Sequence, residues 1–119
     1  MPKVRLALAQ TNPTVGAIQA NLEQALDQIS KAKEQGADLV VFGEMAITGY
    51  PIEDLASRES FLIEAESCLA DLAKALGEEE FQGLTVLVGH PALAEPGIRT
   101  GWAIAQNCAS VIQDGRIIG

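Results

Sequence analysis

Hydrophobic positions along the chain fall into two patterns that take turns. Short, near-continuous apolar runs occupy residues 4–11, 39–42 and 84–89. Runs of this length, with β-branched residues prominent, read as buried strands. Between them, apolar residues recur every three or four positions. Leu22, Ala25, Leu26, Ile29 and Ala32 make one stripe ending in the stem of Lys33, which predicts a helix over 17–35. Asn21 stands where it could cap the regular part of that helix, and Gly36 where a left-handed terminal residue is wanted. A second stripe, built on Phe61, Leu62, Ala65, Cys68, Leu69, Leu72, Ala73 and Leu76, predicts a helix over 58–76 that Gly77 closes. Glu53-Asp54 ahead of it suit a helix N-terminus.

Strand, helix, strand in this order is a βαβ unit, so the first two strands should be parallel and joined by a right-handed crossover. The first strand is expected in the sheet interior. Residues 94–101, with Pro96, Gly97 and Gly101, read as a surface loop. Residues 102–113 read as a long strand whose small and apolar side chains on both faces call for cover on both. Asp114-Gly115 is a two-residue hairpin signal, and residues 116–119 begin an antiparallel partner. The fold class is therefore α/β, with a mixed sheet covered by helices. The chain stops within that hairpin arm, so 1–119 is expected to be the N-terminal part of a longer domain. Such a piece should leave a sheet face and an edge bare.

Composition narrows the partners. Of the 119 residues 48 % are hydrophobic and 20 % charged, as in a globular protein, and the formal net charge is −8. Scattered basic residues and an acidic balance argue against nucleic acid or an anionic membrane. The Glu78-Glu79-Glu80 cluster reads as solvated surface. No apolar run approaches membrane-spanning length and no signal-peptide pattern opens the chain, so two cysteines and a reducing cytoplasm are the expectation.

The stretch most suggestive of chemistry is 38–55, DLVVFGEMAITGYPIEDL. A carboxylate, Glu44, follows a strand end at Gly43, and Gly49 and Pro51 then turn the chain. Ligands of open α/β sheets bind at that rim. Flanked by Met45, Ala46 and Ile47, Glu44 is expected to be poorly solvated, the setting of a proton-transfer group. The plainer reading is a strand-end acid that caps a helix or pairs with a Lys. Cys68, on an inward helical stripe, and Cys108, in mid-strand, read as packing residues. His90 ends the third strand, expected on the same rim as Glu44, with no ligand set around it for a metal. No Walker or GxGxxG motif occurs.

Three stretches, AQTNPTVGAIQAN (9–21), GADLVVFGEMAITGYPIEDL (36–55), and VLVGHP with NCASVIQDGRIIG (86–91 and 107–119), together resemble the nitrilase or carbon–nitrogen hydrolase superfamily. Within it they are most similar to the glutaminase domains of glutamine-dependent NAD synthetases. The resemblance implies an α-β-β-α sandwich and a Glu–Lys–Cys triad hydrolysing the glutamine amide. The released ammonia then serves a separate ATP- and magnesium-dependent amidation of nicotinic acid adenine dinucleotide. It makes Glu44 the general base and puts Tyr50 near the pocket mouth, against glutamine. The Lys and the nucleophilic Cys would follow Gly119, no cofactor would bind to these residues, and a homo-oligomer is expected. The chain departs from the family where Gly43 replaces a Pro before the Glu, Ala17 an Asp and Glu59 a Pro. Two other readings stay open: a hydrolase of another amide or nitrile, and a non-catalytic α/β interaction module.

Overall fold

Seven regular elements follow one another: β1 (Leu6–Ala9), α1 (Ile18–Glu34), β2 (Leu39–Phe42), α2 (Glu59–Ala75), β3 (Thr85–Leu93), β4 (Ala105–Gln113) and β5 (Arg116–Ile117). They come from a computed structural model that describes residues 2–97, 99 and 103–119. The strands form one mixed sheet in sequence order. β1, β2 and β3 run parallel, and β4 and β5 add antiparallel. Both parallel crossovers step the same way across the sheet. Two right-handed crossovers in one direction leave both helices on one side, and α1 indeed packs on α2 while α2 lies along β3.

Strand alternation then sorts the side chains. Val40, Phe42, Val86, Val88 and Ile112 are buried under the helices, with Leu22, Ile29, Leu62 and Leu72 facing them. On the other side Leu6 and Leu8 are 51 % and 67 % exposed, and Val41, Leu87 and Val111 are half-buried. The two helical stripes read from the sequence are the buried faces of α1 and α2. Among the described residues this second face and the β1 edge are bare.

Several expectations need correction. β1 is an edge strand, because it pairs only with β2. β4 is covered on one face only: both helices lie on the other side, so Asn107 and Ala109 are exposed. Trp102, the predicted start of that strand, lies outside the described residues. β3 continues past Gly89 to Leu93. Pro91 is tolerated there because the pairing with β2 stops at Leu87, so no partner on that side awaits the missing N–H. Glu53-Asp54 do not open α2. They sit in a separate 3-10 turn (Glu53–Ser57), and extended Arg58 (φ −99°, ψ 108°) divides the two.

Asn21 is not a cap either. Ala17 holds the N-cap position of α1 without a side-chain bond, and Asn21 is buried in the helix. Its Oδ1 accepts from the Thr14 N–H (3.0 Å), while Nδ2 donates to the carbonyls of Thr14 (2.9 Å) and Ile47 (3.0 Å). The Gly16 N–H adds a bond to the Thr48 carbonyl (2.9 Å). Gly49, at φ +80°, fits so closely that a Cβ there would lie 2.6 Å from the Val15 nitrogen. The Asn-Pro-Thr-Val-Gly turn and the turn after β2 are thus one interlocked unit. Asn21→Ala removes three hydrogen bonds at about 1 kcal/mol each. Thr14 is exposed and can rebind water, whereas Ile47 is buried. A loss of about 2 kcal/mol in urea unfolding is expected, and an unchanged midpoint would show the clamp to be idle.

Candidate active site

Beyond Phe42 the chain leaves β2 and crosses the bare face of β3. Gly89 makes the crossing possible. A Cβ at that position would lie 2.7 Å from the Gly43 carbonyl oxygen, 2.9 Å from the Glu44 Cα and 3.0 Å from the Met45 nitrogen. Real Cβ atoms do not approach backbone so closely. Met45 then takes a left-handed backbone (φ 56°), sparsely populated for a residue with a side chain and held here because its neighbours over-determine it. Met45, Ala46, Ile47 and Thr48 are all buried, and the Gly49 N–H closes the turn on the Met45 carbonyl at 2.8 Å. The backbone beside Glu44 is therefore rigid.

Its side chain goes the other way. Glu44 Oε1 accepts a 2.7 Å hydrogen bond from Nδ2 of Asn107 on β4. The expectation of a poorly solvated carboxylate is overturned: Glu44 is exposed, because its apolar neighbours pack beneath the turn and nothing described covers the sheet face above it. Neither plain alternative is seen, since the ion pairs among the described residues are Lys31–Asp27 and Arg58–Asp54 and the carboxylate caps no helix. Two hollows flank it. One, about 540 Å³, is lined by Leu8, Ala9, Gln10, Thr11 and Pro13 with the tip of β2. The other, about 350 Å³, is lined by Leu87, Gly89, Asn107, Cys108 and Ala109. Phe42, Gly43 and Glu44 form the shared wall.

The other singled-out residues fall elsewhere. Tyr50 is 66 % exposed and is not among the residues lining either hollow. His90 does not share the face of Glu44. Alternate strand residues point to opposite sides, and with Gly89 on the bare face His90 is buried on the helix side. The Pro91 carbonyl 3.0 Å from Nδ1 calls for a proton there, and Nε2 shares a 2.7 Å hydrogen bond with the Ser110 hydroxyl. Among the described residues no three His, Cys, Asp or Glu side chains converge as metal ligands. Gly43, the departure beside Glu44, has open space around it: an added Cβ would meet nothing within 4 Å.

Cys68 is buried on α2 and Cys108 is half-buried in β4. Burial, then the negative charges of Asp71 and Glu64, push the Cys68 thiol up to about 11 from its ordinary 9.0. A reactive thiolate needs the opposite environment. Folding favours the protonated thiol, so this contribution to stability is complete below pH 9 and is lost as pH rises towards 11. Urea midpoints should fall over that interval in the parent chain and fall less in Cys68→Ala. Equal slopes would contradict the assignment.

With this geometry in place, comparison with known proteins is informative. The carbon–nitrogen hydrolase family model matches residues 5–94. The chain belongs to the carbon–nitrogen hydrolase family. Among its relatives, the glutamine-dependent NAD(+) synthetase of Thermotoga maritima is 39 % identical over 119 residues, all of this chain and 19 % of its own length. That of Rhodobacter capsulatus is 37 % identical over 116 residues, 98 % of this chain and 19 % of its own. The chain thus spans about a fifth of the curated relatives it matches. Among solved structures, the glutamine-dependent NAD(+) synthetase from Cytophaga hutchinsonii superposes with a TM-score of 0.81 at 26 % identity, over 98 % of this chain and 18 % of that one. An amidase from Nesterenkonia sp. shares the fold, with a TM-score of 0.71 at 21 % identity over 98 % of this chain and 41 % of its own.

Two residues of the candidate site escaped the sequence. Gly89 carried a usable signal, since an isolated glycine inside a strand run often marks a close backbone approach. Asn107 carried none by itself, because only the β3–β4 register, which pairs it with Pro91, brings it alongside Glu44.

Proposed function

We propose that residues 1–119 are the N-terminal part of the glutaminase domain of a glutamine-dependent NAD synthetase, with Glu44 as the general base. What carries the reading is the carboxylate on a rigid turn between two hollows, within the stretch that relatives of this name match from end to end. In this reaction Glu44 takes the proton of a thiol as sulfur attacks the side-chain amide of glutamine. It then returns that proton to the departing ammonia, and finally deprotonates the water that cleaves the thioester. A lysine would stabilise the oxyanion. Lysine and cysteine belong, on this reading, to sequence after Gly119, which also closes the bare sheet face and excludes water from Glu44.

ATP and magnesium serve the amidation step in a further domain. Self-association fits the same reading, with Val4, Leu6 and Leu8 uncovered at the β1 edge. The cytoplasm is the proposed compartment. Both cysteines are free thiols, and among the described residues no helix is long and apolar enough to cross a membrane. The test supplies the enzyme carrying this chain with glutamine labelled by nitrogen-15 in its side-chain amide, together with ATP, magnesium and nicotinic acid adenine dinucleotide. The label should appear in the carboxamide of NAD. Hydrolysis of other amides without such transfer would overturn the proposal.

A further inference from the structure

We infer that Asn107 is the positioning residue of the Glu44 carboxylate, an inference that rests on the proposed role of Glu44 as base. Among the described residues the carboxylate has one hydrogen-bond partner, the Asn107 amide at 2.7 Å, and no cation within ion-pair distance. A carboxylate only accepts, so the amide must turn its NH₂ towards Glu44. The bond fixes Oε1, and among the described residues no donor reaches Oε2, so one defined oxygen is presented for proton transfer. A neutral donor does this without the competing positive charge that would hold the proton acceptor in an ion pair.

The support is built from the far side of the sheet. Asn107 belongs to β4, whose backbone is locked to β3 by pairing from Thr85↔Gln113 to Leu93↔Ala105. Gly89 lies two residues from Pro91, the partner of Asn107, and lets the Glu44 backbone ride close over β3. The short Asn side chain reaches the carboxylate only because that backbone is so close. Asn107 itself is exposed and lines the second hollow, so its side chain does little for folding.

The test uses the full-length enzyme carrying this chain, with Asn107→Ala, Asn107→Asp and Asn107→Gln. Asp keeps the shape but loses the donor, and Gln keeps the donor on a longer stem. Misplacing a reacting group by about 1 Å costs roughly a hundredfold. Ala and Asp should therefore lower kcat for glutamine about 10- to 100-fold with KM little changed. Gln should recover most of the loss. Ammonia-dependent synthesis and the melting temperature should stay at parental values. Full glutamine turnover in Asn107→Ala, with Glu44→Gln inactive, would overturn the inference and leave the reading of Glu44 standing. Parallel losses of both activities and of melting temperature would make Asn107 a structural residue and overturn it too. Turnover surviving in Glu44→Gln would instead overturn the role of Glu44 itself.

Discussion

Replacing Glu44 by Gln is expected to lower glutamine hydrolysis in the enzyme carrying this chain by about 10²- to 10⁴-fold, the range that positioned acid–base catalysis supplies. The substitution is clean for a structural reason. Gln keeps the length of Glu, and its amide oxygen can still accept from Asn107 as Glu44 Oε1 does at 2.7 Å. The surrounding turn is set by buried Met45, Ala46 and Ile47, none of which touches the change in charge. What disappears is the ability to take and return a proton. Synthesis supplied with free ammonia should continue at the parental rate, because it bypasses the amide. The check is a paired assay with glutamine and with ammonium chloride. Comparable losses in both would mean that Glu44 supports the fold or the downstream step.

Gly89→Ala is expected to lower kcat for glutamine about a hundredfold through the position of Glu44. The new methyl would sit 2.7 Å from the Gly43 oxygen and 2.9 Å from the Glu44 Cα, so the crossing segment must lift by several tenths of an ångström or more. Overpacking costs about 1–3 kcal/mol in a closed core. Met45 and Ala46, just beyond the contact, are buried, so the segment resists the shift and a stability loss within that range should accompany it. Rising carries the carboxylate away from Asn107, and catalysis is far less forgiving of displacement than folding is. Kinetics and thermal melting of the same preparation separate the two effects. Parental kcat with a lowered melting temperature would show that the close approach serves packing alone.

The layered scaffold was legible because its causes are local. The stripes Leu22–Ala25–Ile29 and Leu62–Ala65–Leu72 announce their helices, and Val40 and Val86 fall in runs too short for anything but strands. Asp114-Gly115 likewise turns the chain with both residues at positive φ, as its chemistry requires. The solvation of Glu44 was not legible. Met45, Ala46 and Ile47 are apolar and adjacent in sequence, but the turn packs them inward and leaves the carboxylate exposed. Asn21 was misjudged for a related reason. Its partners, Thr14 and Ile47, lie on either side of it in sequence and converge only once β1 and β2 pair. His90 and Gly89 are neighbours in the chain, yet the pleat assigns one to the packed side and the other to the candidate site. Each failure came from long-range pairing deciding the direction of a side chain whose local context pointed elsewhere.

Because the helices seal only one side of the ladder, the packed core and the candidate site draw their side chains from opposite faces of the sheet. Ile29, Leu62 and Leu72 therefore meet one set of neighbours, and the carboxylate held by Asn107 meets another.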